Sequence, residues 1–181
     1  MLQKFKNKTH LNLTNYEPHI LKDITDGSIY QNFLADQKNR RPEEIYTFLL
    51  NSDGIKVCNK SELSIWPVYL AINEIPLQYR FCVDNVIVAG LSVAYSKPKM
   101  NTFLKPIIQE LMKYEYGIDV SIDKNIKDIA YFYTLHAVFD KPARADILNI
   151  KNANGSYGCL KCLQPGETLK LKKSSSNLLL H

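Results

Sequence analysis

Asp53 and Asp140 each fall at the end of an apolar run of strand character, short before Asp53 and long before Asp140. Acidic residues brought together at neighbouring strand ends can share divalent cations. Two Mg²⁺ ions about 3.5–4 Å apart can activate a nucleophile and stabilise the leaving oxygen in phosphodiester chemistry. Each aspartate also has a local reading. Asp53-Gly54 suits a hairpin turn, and Asp140 before Lys141-Pro142 suits a helix cap. On spacing alone both readings stay open.

A second constellation is Cys159-Leu160-Lys161-Cys162, preceded by Gly158 and followed by Gly166. Such a knuckle presents two thiolates to one tetrahedral zinc. A structural zinc site normally takes four ligands, and after Cys162 only His181 follows, so half a site is visible. Cys58 and Cys82 read more simply as buried thiols in or beside strands. A redox pair is the other reading of Cys159 and Cys162, but they follow a polar Asn-Gly-Ser loop and not a strand. Lys97, Lys99, Lys105 and Arg144 could contact phosphates, and a solvated basic face is their plainer reading. Trp66 and Tyr131-Phe132-Tyr133 read as core. His10, His19 and His136 show no ligand spacing, and neither a Gly-rich phosphate loop nor a Gly-x-Ser-x-Gly elbow is present.

The elements that must position these residues follow from periodicity. Residues 1–42 read as a helical and polar lead-in. Ile20, Leu21 and Ile24 recur at helical spacing until Asp26-Gly27, a short helix runs through Ile29, Phe33 and Leu34, and Gln37 to Pro42 is a charged linker. Strands are predicted at Ile45–Leu50, Ile55–Val57, Trp66–Ile72, Val86–Ala94 and Ile129–Phe139. Leu104, Ile107, Ile108, Leu111 and Glu115 share one helical face. Asn101 or Thr102 is the candidate cap, Pro106 fits the first turn only, and Gly117 is the stop. A further helix starts at Pro142 and carries Ala143, Ala145, Ile147, Leu148 and Ile150. Consecutive strands, a crossover helix and another strand imply an α/β fold: a mixed sheet with at least one parallel pair, flanked by helices. In such sheets function gathers at the carboxyl ends of strands. The core spans residues 43–152, the knuckle segment 153–168, and the Lys/Ser-rich tail 169–181 is expected to be disordered.

Composition narrows the field. Of 181 residues, 45% are hydrophobic and 23% charged, the mixture of a globular chain with a real core. No run approaches the roughly 18 apolar residues of a membrane span, so no membrane partner is expected. The start lacks the apolar core of a signal peptide, so secretion is not expected and the four cysteines read as thiols or metal ligands. A net charge of +5 permits nucleic acid as a partner without demanding it.

Longer strings carry a resemblance. Leu50-Asn51-Ser52-Asp53-Gly54, then Ser64-Ile65-Trp66-Pro67-Val68-Tyr69-Leu70-Ala71-Ile72-Asn73-Glu74-Ile75-Pro76, look like the transposase domain of CACTA (En/Spm)-type DNA transposons and of related invertebrate transposase-derived proteins. Lys99 to Pro106, Asp140 to Ala145, and Asn154 to Cys162 are similar as well, so the resemblance runs in order from about Ile24 to Glu167. It implies an RNase H-like fold with a D-D-E site. In that site Asp53 and Asp140 would be the first two acidic residues, holding Mg²⁺ or Mn²⁺, and Cys159 and Cys162 would belong to a zinc-binding segment. It implies DNA, as transposon ends or target, as the partner, with a nuclear (or cytoplasmic) location and a possible homo-oligomer.

The departure is the third acidic residue. Glu167 is the only one after Asp146, and it sits in a Pro-Gly loop. The expectation is therefore an incomplete core: a fragment or remnant of a transposase, inactive alone. The alternative is a domesticated, non-catalytic module that binds DNA or protein.

Overall fold

The computed structural model describes residues 21–57, 62–121, 128–151, 157, 159, 167–170 and 177–180. After a 3₁₀ turn at Ile24–Asp26 come helix α1 (Ser28–Arg40) and strands β1 (Glu44–Ser52), β2 (Ile55–Lys56) and β3 (Ser64–Ile72). A short helix α2 (Leu77–Arg80) and a 3₁₀ turn at Val83–Asn85 lead into β4 (Val86–Ala94). Helix α3 (Met100–Tyr114), β5 (Ile118–Asp119), β6 (Ile129–Val138) and α4 (Lys141–Ile147) follow, and β7 (Glu167–Lys170) and β8 (Asn177–Leu180) close the order. Strands β1 to β6 make one sheet in the order β2-β3-β1-β6-β5, with β4 also paired to β3. β1 and β6 are parallel, while β2 with β3 and β5 with β6 are antiparallel. The expected mixed α/β fold with flanking helices is therefore present, with its parallel pair at β1 and β6.

Two compact units partition the chain: Met1–Asn51, Val68–Gly90 and Pro106–Val138 in the first, Ser52–Pro67, Leu91–Lys105 and Phe139–His181 in the second. In the first unit, alternation along β1 and β3 turns Phe48, Leu50, Val68 and Leu70 inward, and Phe132 joins them from β6. The rings of Tyr46 and Phe48 stack on Phe132 at 5.2 and 5.3 Å between centroids. Helix α1 packs through Phe33, edge-on to Tyr133 at 5.1 Å, and Gln37 accepts the Tyr133 hydroxyl hydrogen at 2.9 Å. The α3 face is set by Ile107 and Leu111, which are buried, whereas Ile108 is 41% exposed.

Several local expectations need correcting. Gln37–Arg40 belongs to α1 and not to a linker: Asp36 pairs with Arg40 one turn on, at 2.9 Å, and the basic last turn suits the helix dipole. The helix stops before Pro42, whose ring disfavours helical backbone in the residue ahead of it. Pro106 lies inside α3, not in its first turn, because the helix starts at Met100, ahead of the predicted cap. Cys82 is exposed, in the turn after α2, so it is not a buried thiol.

In the second unit, Gly54 lies against the ring of Trp66, where a Cβ would come within 2.6 Å of Cε2. Trp66 is 9% exposed, and Lys97 stands over its ring at 5.3 Å. Ala143 and Ala145 are the buried residues of α4. β7 and β8 pair antiparallel, Glu167 with Leu180 through Lys170 with Asn177, across the boundary drawn between the knuckle segment and the tail. Residues 1–20, Cys58 and Cys162 lie outside the described residues. Among the described residues no helix is long and apolar enough to cross a membrane.

Candidate functional site

The parallel pairing of β1 with β6 sets the geometry. A register shift between Phe48 and Leu49 resets the ladder, after which Leu49 faces His136, Leu50 faces Ala137 and Asn51 faces Val138. Both chains then run two residues further, to Asp53 and Asp140. Asp53 directly follows Ser52, the last residue of β1, and Asp140 lies two residues past Val138, the last of β6; each is two positions beyond the last paired residue of its strand. The Asn51 side-chain amide donates to the Val138 carbonyl at 2.7 Å and ties the two strand ends together.

Each carboxylate is oriented by its own backbone. Asp53 Oδ1 accepts from the Gly54 N–H at 2.7 Å. Asp140 Oδ1 accepts from the Ala143 N–H at 2.7 Å as the N-cap of α4, with Pro142 in the first turn. The turn and cap roles are therefore real. They engage one oxygen of each side chain, and both residues are exposed. Mg²⁺ commonly binds through one or two carboxylates and completes its shell with water and phosphate oxygens. The donor set of Asp53 and Asp140 fits that habit. A self-sufficient protein cage is a different matter: among the described residues no group of three or more His, Cys, Asp or Glu side chains could hold a metal.

The basic candidates divide. Lys97 pairs with Asp146 and covers Trp66, which takes it out of a free phosphate-binding set. Lys99 and Lys105 are exposed and Arg144 is half-buried in the last turn of α4. All four belong to the same compact unit as Asp53 and Asp140. Cys159 is half-buried, in that unit too, and its sequence partner Cys162 lies outside the described residues.

A polar cluster in the first unit went unread in the sequence. Glu74, in the turn after β3, accepts three hydrogen bonds: from the Tyr30 hydroxyl at 2.8 Å, the Thr47 N–H at 2.9 Å and the Thr47 hydroxyl at 2.8 Å. Burial pushes its carboxyl above the ordinary value, and these hydrogen bonds pull it back in part. Beside it Arg80, 2% exposed, donates to Asp23 Oδ1 at 2.7 Å and to the Ile75 carbonyl at 3.1 Å. Asn73 donates to the Thr47 hydroxyl at 2.8 Å. Among the described residues neither buried ring nitrogen of His136 has a hydrogen-bond partner, and burial, helped by the Arg80 charge, holds its imidazole below the ordinary value. The one local signal for this cluster is a Glu between the apolar Ile72 and Ile75. Its partners lie tens of residues away, and no local period reports them.

No protein-family model, curated protein or solved structure matches the chain.

Proposed function

We propose that this chain is an RNase H-like domain of the DDE transposase kind, in which Asp53 and Asp140 form two-thirds of a divalent-metal site and the basic residues of the same unit meet DNA. The observation that carries the reading is the shared register: Asp53 and Asp140 lie two residues beyond the paired Asn51 and Val138 on adjacent parallel strands. The strand order, with β1 between β3 and β6, supports it. So does the general tendency of open α/β sheets to bind ligands at strand carboxyl ends.

In this reading Asp53 and Asp140 would hold Mg²⁺ or Mn²⁺, which would supply Lewis-acid stabilisation of phosphate oxygens during strand cleavage. The backbone N–H groups of Gly54 and Ala143 fix one oxygen of each carboxylate and so fix the direction in which the other points. Lys99, Lys105 and Arg144 neutralise backbone phosphates and position the duplex. Two carboxylates hold the cation weakly, so the chain binds metal and DNA without cutting efficiently by itself. Zinc at Cys159 and Cys162 belongs to the same proposal.

The second reading is a non-catalytic module that binds DNA or protein. It is favoured by the engagement of both Oδ1 atoms in local turn and cap bonds. Thermal melting during Mg²⁺ and Mn²⁺ titration separates the two. Asn preserves a helix cap while removing the charge. The Asp53→Asn/Asp140→Asn variant should therefore melt near the wild type without metal and lose the metal-dependent rise. A rise of equal size in both proteins, or none in either, would sink the metal site and leave the binding module. Metal-dependent plasmid nicking by the wild type, lost in Asp53→Asn, would instead show that two carboxylates suffice.

A further inference from the structure

An open pocket of about 500 Å³ lies in the first unit, between the sheet and the carboxyl-terminal half of α3. Engineered apolar cavities of only about 150 Å³ stay dry and take up benzene or xenon. This one falls in the roughly 300–1,000 Å³ class of small-molecule sites.

Its walls specify an occupant. The rings of Phe48 and Phe132, stacked at 5.3 Å and 16° and each about 5% exposed or less, form a rigid aromatic side. Leu111, 7% exposed, closes it from α3, and Ala89 on β4 supplies a short side chain where a larger one would fill the space. Among the described residues Glu110 is the only charged member of the lining, and Tyr114 stands one helical turn beyond it on α3. Glu110 sits at the rim with its side chain 51% exposed and pairs with Lys113 at 2.7 Å, which offsets its charge and leaves carboxylate lone pairs able to accept one more hydrogen bond.

We infer that the cavity is a binding site for a neutral, mainly aromatic small molecule carrying one N–H or O–H donor, the rings against Phe48 and Phe132 and the donor toward Glu110. The site is independent of Asp53 and Asp140, none of whose chemistry it uses.

N-phenyl-1-naphthylamine, neutral and with a single N–H, is a suitable probe. Its fluorescence should rise and saturate at one probe per chain. Methyl resonances of Leu111, Ile118 and Val120 should shift in the wild type, which locates the probe without any substitution. Ala89→Phe should weaken binding at least tenfold while circular dichroism and melting temperature hold. Glu110→Leu should weaken the amine more than naphthalene, which has no donor. Absence of saturable binding, or shifts confined to other methyls, overturns the inference. A dimer by light scattering that excludes the probe until it is diluted apart would also overturn it, since a second copy would then fill the cavity.

Discussion

The side-chain amide of Asn51 donates to the main-chain carbonyl of Val138 at 2.7 Å, joining the last paired residues of two parallel strands that are 87 positions apart in sequence. It supplements the ladder at the step from which Asp53 and Asp140 depart. Asn51→Leu removes the donor. A hydrogen bond of this kind contributes about 1 kcal/mol, which for a chain of this size is a fall of roughly 2–4 °C in melting temperature. The metal-dependent rise should shrink in the same variant, because the two strand ends are less firmly tied. An unchanged rise would show that the aspartates are held by their own turn and cap alone.

Glu74 anchors α1 to β1 through Tyr30 and Thr47. Tyr30→Phe removes one bond and should cost about 1 kcal/mol, whereas Glu74→Leu leaves the Thr47 N–H and hydroxyl without their acceptor and should cost about 1–3 kcal/mol more. The carboxyl is held above its ordinary 4.5, chiefly by burial, so the folded state binds its proton more tightly than the unfolded chain does. Its contribution is greatest below that value and is lost as pH rises through the folded pKa. The cost of Glu74→Gln should therefore be larger near pH 4.5 than at pH 7.5 in urea unfolding. The reverse trend would mean that the hydrogen bonds outweigh burial.

His136 titrates the opposite way. Burial, with Arg80 adding to it and Asp23 opposing, holds the imidazole below 6.5. The folded state thus binds fewer protons there, and stability present above pH 6.5 is lost as pH falls through the folded value. His136→Phe should flatten the decline in melting temperature between pH 7.5 and 5.5. An identical decline in both proteins would place the acid sensitivity elsewhere.

Gly54 meets the buried ring of Trp66 closely enough that any Cβ collides with it. Overpacking of this kind costs about 1–3 kcal/mol. Gly54→Ala should lower the melting temperature and red-shift the tryptophan emission, and Trp66 is the only tryptophan in the chain. Unchanged emission and stability would show that the hairpin shifts to make room.

Much of the sheet was legible because its strands are apolar runs bounded by turn residues. Ile45–Leu50, Trp66–Ile72 and Ile129–Phe139 differ from β1, β3 and β6 by one or two residues at their ends. The ends of β1 and β6 could be read to within two residues because Asp53-Gly54 and Asp140-Lys141-Pro142 carry turn and cap chemistry of their own. What periodicity did not carry was which strands would pair, since the β1–β6 register is a long-range choice. The same limit hid Arg80 and Glu74: a buried charge is defined by partners such as Asp23 and Tyr30, not by neighbours in sequence. Pro106 was misplaced for a different reason. A helix tolerates a proline in its second turn when packing by Ile107 and Leu111 outweighs one lost hydrogen bond.

The central position of β1 has a consequence for how the chain is made. β2, β3 and β4 follow β1 closely in sequence, but its other edge is covered only by β6, whose residues leave the ribosome last among the six strands. Until residues 129–138 emerge, nine residues of β1, most of them apolar, present an open row of main-chain groups of the kind that recruits foreign strands. Pairing across so long a sequence interval is slow. A nascent chain halted before β6 should therefore be prone to aggregate or be held by chaperones, and the two aspartates come into register only at the closing step of the sheet.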